Sequence, residues 1–125
     1  MRVDVVEAAP DVFLVMGPRA NWCLMRDEDA ITLVDAAWPK DYPLVVDSLR
    51  QIGATPEQVD AVVLTHAHPD HVGVAERFRA DHDAVVYAHR AEAGHATGGT
   101  TSMYERSISS CVCGDLRCSR SLSTR

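Results

Sequence analysis

The stretch Thr65-His66-Ala67-His68-Pro69-Asp70-His71 decides how this chain is read. It places three imidazoles and one carboxylate between His66 and His71. Near neutral pH those groups are mostly neutral histidine and ionised aspartate, the forms that bind metal. Imidazole nitrogens with one carboxylate oxygen suit zinc or a similar first-row ion. Just upstream, Asp60-Ala61-Val62-Val63-Leu64 is a short Val-rich run that reads as a buried strand. If the chain stays extended past Leu64, alternation puts His66 and His68 on one side, where they can grip one ion. Pro69 fixes its own φ and cannot continue a ladder, so it redirects the chain. Asp70 and His71 follow that bend and are expected to serve a second ion close by.

Working outward, the amino-terminal part reads as strands. Arg2 to Glu7 and Asp11 to Met16 are apolar runs split by Ala9-Pro10, and Gly17-Pro18 marks the next turn. Asn21 to Arg26 and Ala30 to Val34 follow, joined by Asp27-Glu28-Asp29. Four short strands with close turns predict an antiparallel meander. A helix is predicted next, with Pro43 in its first turn, Val45, Leu49 and Ile52 on one apolar stripe, and Gly53 as a left-handed stop. Thr55-Pro56-Glu57-Gln58 reads as a capping box before the Val62 strand. Beyond the motif, Val74 and Phe78 mark a helix ending near Ala80, its positive end beside His71. Val85-Val86-Tyr87-Ala88-His89 reads as a further strand.

The motif His66-x-His68-x-Asp70-His71, preceded by Thr65 and followed by Gly73, resembles that of the metallo-β-lactamase-fold hydrolases. The resemblance runs from about residue 3 to about residue 98. Ala20-Asn21-Trp22-Cys23-Leu24-Met25 with Ile31-Thr32-Leu33-Val34-Asp35 is similar to that family's opening hairpin, and the Val85 strand falls where the family has the strand after the motif helix. The resemblance implies an α+β fold, a metallo-β-lactamase-like αββα sandwich of which this chain supplies the amino-terminal sheet and helices. It implies that His66 and His68 bind one metal, that Asp70 and His71 bind a second, and that Asp35 supports the site from behind. It implies one or two zinc ions, with iron or manganese as substitutes. Where the family follows that Asp with a small residue and Gly, this chain has Ala36-Ala37. The family's further His, bridging carboxylate and last His have no counterpart after Val86.

Such a site implies hydrolysis by a metal-held hydroxide, with Asp70 orienting it, on a small ester, thioester or lactone-like molecule. A second reading is a catalytically inactive, truncated remnant that binds metal weakly or acts as an association module through an uncovered sheet face. A third is a small metal-binding protein whose site is completed by Cys111, Cys113 or Cys118. Those three thiols form C-x-C-x4-C without a fourth ligand at a standard spacing, and free thiols in an unstructured stretch are expected. Cys23 reads as a small buried hydrophobe. His82, His89 and His95 read as surface or helix-start histidines.

With 125 residues, 46% hydrophobic and 24% charged, the chain is one domain at most. The net charge is −6, and Lys40 is the single lysine. Residues 101–125 reverse the sign, with Arg106, Arg117, Arg120 and Arg125 against Glu105 and Asp115. An acidic body disfavours nucleic acid as a partner, which leaves a small-molecule substrate. No segment is apolar for long enough to span a membrane, and no apolar stretch follows Met1-Arg2-Val3-Asp4, so a cytoplasmic location is expected. From Gly98-Gly99 onward Ser, Thr, Arg and Cys dominate without amphipathic period. Residues 1–98 are therefore taken as the partial domain and 99–125 as a disordered tail, left by a lost reading frame or a break in the gene.

Overall fold

The computed structural model describes residues 2–89. Six strands form one sheet in sequence order: β1 (Asp4–Ala9), β2 (Val12–Met16), β3 (Asn21–Asp27), β4 (Ala30–Val34), β5 (Val59–Leu64) and β6 (Val85–Ala88). The first four pair antiparallel, as the predicted meander requires. β4, β5 and β6 pair parallel. Parallel neighbours need a crossover, and helices supply both. The chain crosses from β4 to β5 through α1 (Tyr42–Gln51), and from β5 to β6 through α2 (Pro69–Val72) and α3 (Ala75–His82).

Alternation along each strand sorts the side chains between two faces. Phe13, Leu24, Leu33, Val62 and Val86 form one row across β2 to β6 and are all buried. They pack in a single core with Val45 and Leu49 of α1 and Phe78 of α3. Trp22 joins that core and donates its indole N–H to Ser48 Oγ at 3.1 Å, so a buried donor is satisfied. The opposite row is Val6, Leu14, Cys23, Val34, Val63 and Tyr87, in register across all six strands. No described element covers it, and Val6, Leu14 and Val63 are exposed. Cys23, read from the sequence as a small buried hydrophobe, belongs to this face and is half-buried. Partial burial still pushes its pKa up.

α1 carries Pro43 in its first turn, and Gly53 stops it at φ +76°. Ahead of β5, the Thr55 N–H donates to Gln58 Oε1 at 2.9 Å, the reciprocal half of a capping box. The helix expected after the motif is split. α2 is a single turn built from the motif itself, Gly73 interrupts it, and α3 then runs to His82, two residues past the expected end near Ala80. Gly73 is required by packing. A Cβ there would lie 1.7 Å from the Ala37 carbonyl oxygen, and its φ is +23°. His82 is no surface histidine: Nε2 lies 3.0 Å from the Tyr42 hydroxyl, and its side chain is 12% exposed. His89 is exposed, while His95, Cys111, Cys113, Cys118 and the whole predicted tail lie outside the described residues. Among the described residues, no helix is long and apolar enough to cross a membrane.

Candidate metal centre

The candidate site lies at the carboxyl ends of β4 and β5. Asp35 follows β4 directly, and its backbone N–H donates to the Val63 carbonyl at 2.8 Å. Asp35 and Ala37 both take positive φ, +64° and +54°. Few non-glycine residues adopt that conformation, and it costs of order 1 kcal/mol or more each. Ala36-Ala37 therefore does make the tight turn. Two backbone hydrogen bonds clamp it to the motif: Ala36 N–H to the His71 carbonyl at 2.7 Å, and Val74 N–H to the Ala36 carbonyl at 2.8 Å. The loop after β4 and the turn carrying the histidines are thus one rigid unit. On the same edge, Arg19 from the β2–β3 turn pairs with the buried Asp41 carboxylate.

Beyond Leu64 the chain bends at Thr65 and His66 instead of staying extended. The cause is the Asp35 carboxylate, which is 7% exposed and draws in the Thr65 backbone. Asp35 Oδ1 accepts from the Thr65 N–H at 2.8 Å, and the Thr65 hydroxyl lies 2.9 and 2.8 Å from the two carboxylate oxygens. Strand alternation is therefore not what positions the imidazoles. The bend, and the one-turn helix opened by Pro69, do so.

Donor atoms of His66, Asp70 and His71 all lie within 4.8 Å of one another. The His66 and His71 rings are 4.1 Å apart, centroid to centroid. His71 Nε2 faces Asp70 Oδ2 at 3.4 Å, while its Nδ1 faces Asp35 Oδ2 at 2.9 Å. The second contact is close but not aligned as a hydrogen bond, which leaves His71 Nδ1 buried without a directed partner. His68 is exposed and stands outside the three-donor group, with its ring edge-on to His66 at 4.6 Å. The three-donor group thus cuts across the two pairs expected from spacing, His66 with His68 and Asp70 with His71.

The donor set fits a divalent ion. Two imidazoles and one carboxylate are zinc-type ligands, and bonds of about 2.0–2.2 Å let one ion span donors up to about 4.4 Å apart. Sub-ångström side-chain adjustment closes the outer limit of 4.8 Å. Thr65 is the residue that sequence reasoning quoted without a role. Its hydroxyl also lies 3.0 Å from His66 Nδ1. A hydroxyl next to a ligand histidine was the available signal.

A sequence model of the metallo-beta-lactamase superfamily matches residues 16–110. The chain belongs to that superfamily. Among Bacillus subtilis (strain 168) proteins, "Probable metallo-hydrolase YflN" is 32% identical over 75 residues, covering 60% of this chain and 28% of that protein. YobT of the same organism, described as uncharacterized, is 40% identical over 53 residues, covering 42% of this chain and 22% of its own length. In fold, this superfamily member resembles the metallo-beta-lactamase GOB-18 of Elizabethkingia meningoseptica, with a TM-score of 0.67, 19% identity and coverage of 72% of this chain and 33% of that one. It also resembles the subclass B3 enzyme BJP-1 of Bradyrhizobium japonicum, with a TM-score of 0.66, 20% identity and coverage of 71% and 34%. The metallo-beta-lactamase fold expected from the motif is therefore shown. The chain spans about a quarter to a third of the length of these relatives.

Proposed function

We propose that the chain carries the metal-binding half of a metal-dependent hydrolase acting on small esters, thioesters or lactones. The observation that carries this reading is the convergence of His66, Asp70 and His71 donors within 4.8 Å on a scaffold tied by Asp35. An ion of the zinc type would be held by those three side chains, with His68 adjacent. When bound, it supplies Lewis acidity and lowers the pKa of a water in its shell to roughly 7. The residues of this chain do the rest. His66 and His71 would offer ring nitrogens, Asp35 stands 2.9 Å from His71 Nδ1, and Asp70 would orient a water by accepting its hydrogen. The acidic body and its single lysine support an uncharged or weakly charged small substrate over nucleic acid.

A second reading, an inactive metal-binding remnant, is favoured by one specific observation. Among the described residues three donors converge, enough for one zinc with an open position and too few for the second ion that the resemblance implies. Zinc uptake measured together with hydrolysis of a thioester reporter separates the two. Uptake with turnover supports the hydrolase, uptake without turnover supports the remnant, and no uptake contradicts both.

A further inference from the structure

The geometry points to Thr65 as the positioning residue that fixes which nitrogen of His66 faces the metal. The inference rests on His66 being a ligand, and it extends that reading to the proton on its ring.

An ionised carboxylate only accepts, and a hydroxyl has one hydrogen to give. The Thr65 hydroxyl lies 2.9 and 2.8 Å from the two oxygens of Asp35, so its hydrogen goes to that carboxylate. What the same oxygen offers His66 Nδ1, 3.0 Å away, is a lone pair. His66 must then donate from Nδ1, and a neutral imidazole protonated at Nδ1 has its lone pair at Nε2. The chain Asp35, Thr65, His66 is therefore a directed relay in which each member has one role. It commits Nε2 of His66 to the ion and holds the ring by its other edge. Asp35 acts on His71 as well, through the 2.9 Å approach of Oδ2 to Nδ1, with Nε2 again turned toward Asp70. One buried carboxylate thus lies beside both imidazoles: it approaches His71 Nδ1 without the alignment of a hydrogen bond, and it reaches His66 through a threonine hydroxyl. Partners that hold the non-ligating nitrogen of a histidine are typically worth about 10- to 100-fold in metal affinity.

Thr65→Val is the decisive variant. It keeps the β-branched shape and the backbone N–H bond to Asp35 Oδ1, and removes only the hydroxyl. Thr65→Ser restores a hydroxyl and is the rescue. The first readout is the histidine side-chain nitrogen spectrum of the metal-free chain at about pH 8, where imidazole is neutral. Wild type and Thr65→Ser are expected to carry the His66 proton on Nδ1, and Thr65→Val to lose that preference. The second is zinc affinity by competition with a chromogenic chelator, expected to fall about 10-fold in Thr65→Val and to stay near wild type in Thr65→Ser. An unchanged His66 tautomer in Thr65→Val overturns the inference. Wild-type protein that takes up no zinc overturns the metal reading instead, and the spectra of the metal-free chain still decide the role of Thr65.

Discussion

The two faces of the sheet have the same kind of sequence and opposite fates. Phe13, Leu24, Leu33, Val62 and Val86 are buried under α1 and α3. One residue along each strand, Leu14, Cys23, Val34, Val63 and Tyr87 make an equally apolar row that the described residues leave open. A shallow hollow of about 310 Å³ lined by Thr32, Ala61, Val63, Leu64, Tyr87 and Ala88 lies on that side. Apolarity alone therefore does not say which face carries the core. The covered face is chosen by the two crossovers, which put both helices over it. The metal motif begins where the second crossover leaves the sheet.

Substitutions across one strand pair should expose this difference most strongly. Leu24→Ala removes a fully buried side chain and is expected to cost about 3 kcal/mol in urea unfolding, within the usual 2–5 for such sites. Leu14→Ala, at a residue 38% exposed on the opposite face, is expected to cost about 0.5 kcal/mol or less. Equal losses would mean that both faces are covered in solution. Gly73→Ala is expected to come next, at about 2 kcal/mol, because its Cβ would strike the Ala36 and Ala37 carbonyls. The same variant should weaken zinc binding, since the Ala36 carbonyl anchors the motif turn through Val74; full stability with full binding would show that the clamp is dispensable. The smallest effect is a rate. Cys23 lies on the open row with its pKa raised by partial burial. Its thiolate fraction is therefore low at neutral pH, and alkylation by iodoacetamide should be slow there and quicken as pH rises. Rapid alkylation at pH 7 would place the thiol in water instead.

The sequence showed the strands because apolar runs between turn residues are local signals, although the run read as a buried strand in fact alternates, with Val62 buried and Val63 exposed; it showed the histidine cluster because the ligand types are adjacent in the chain. The remaining features depend on contacts between distant residues. Asp35 pulls on Thr65 from 30 residues away, which is why an extended run past Leu64 was the natural reading and a bend is the result. The turn at Ala36-Ala37 has no glycine to announce it. Its positive φ values are held by the clamp to His71 and Val74. Gly73 splits the motif helix because of where Ala37 lies, and the motif alone does not predict that. His82 reads as a surface histidine until Tyr42 is brought beside it.

The central claim is that His66, Asp70 and His71 together hold a divalent cation. Zinc content per chain after dialysis, compared between wild type and His71→Ala, tests it most directly. The account predicts zinc retained by the wild type and lost from the variant, with folding unchanged by circular dichroism. Equal zinc in both, or none in a folded wild type offered an excess, would contradict it.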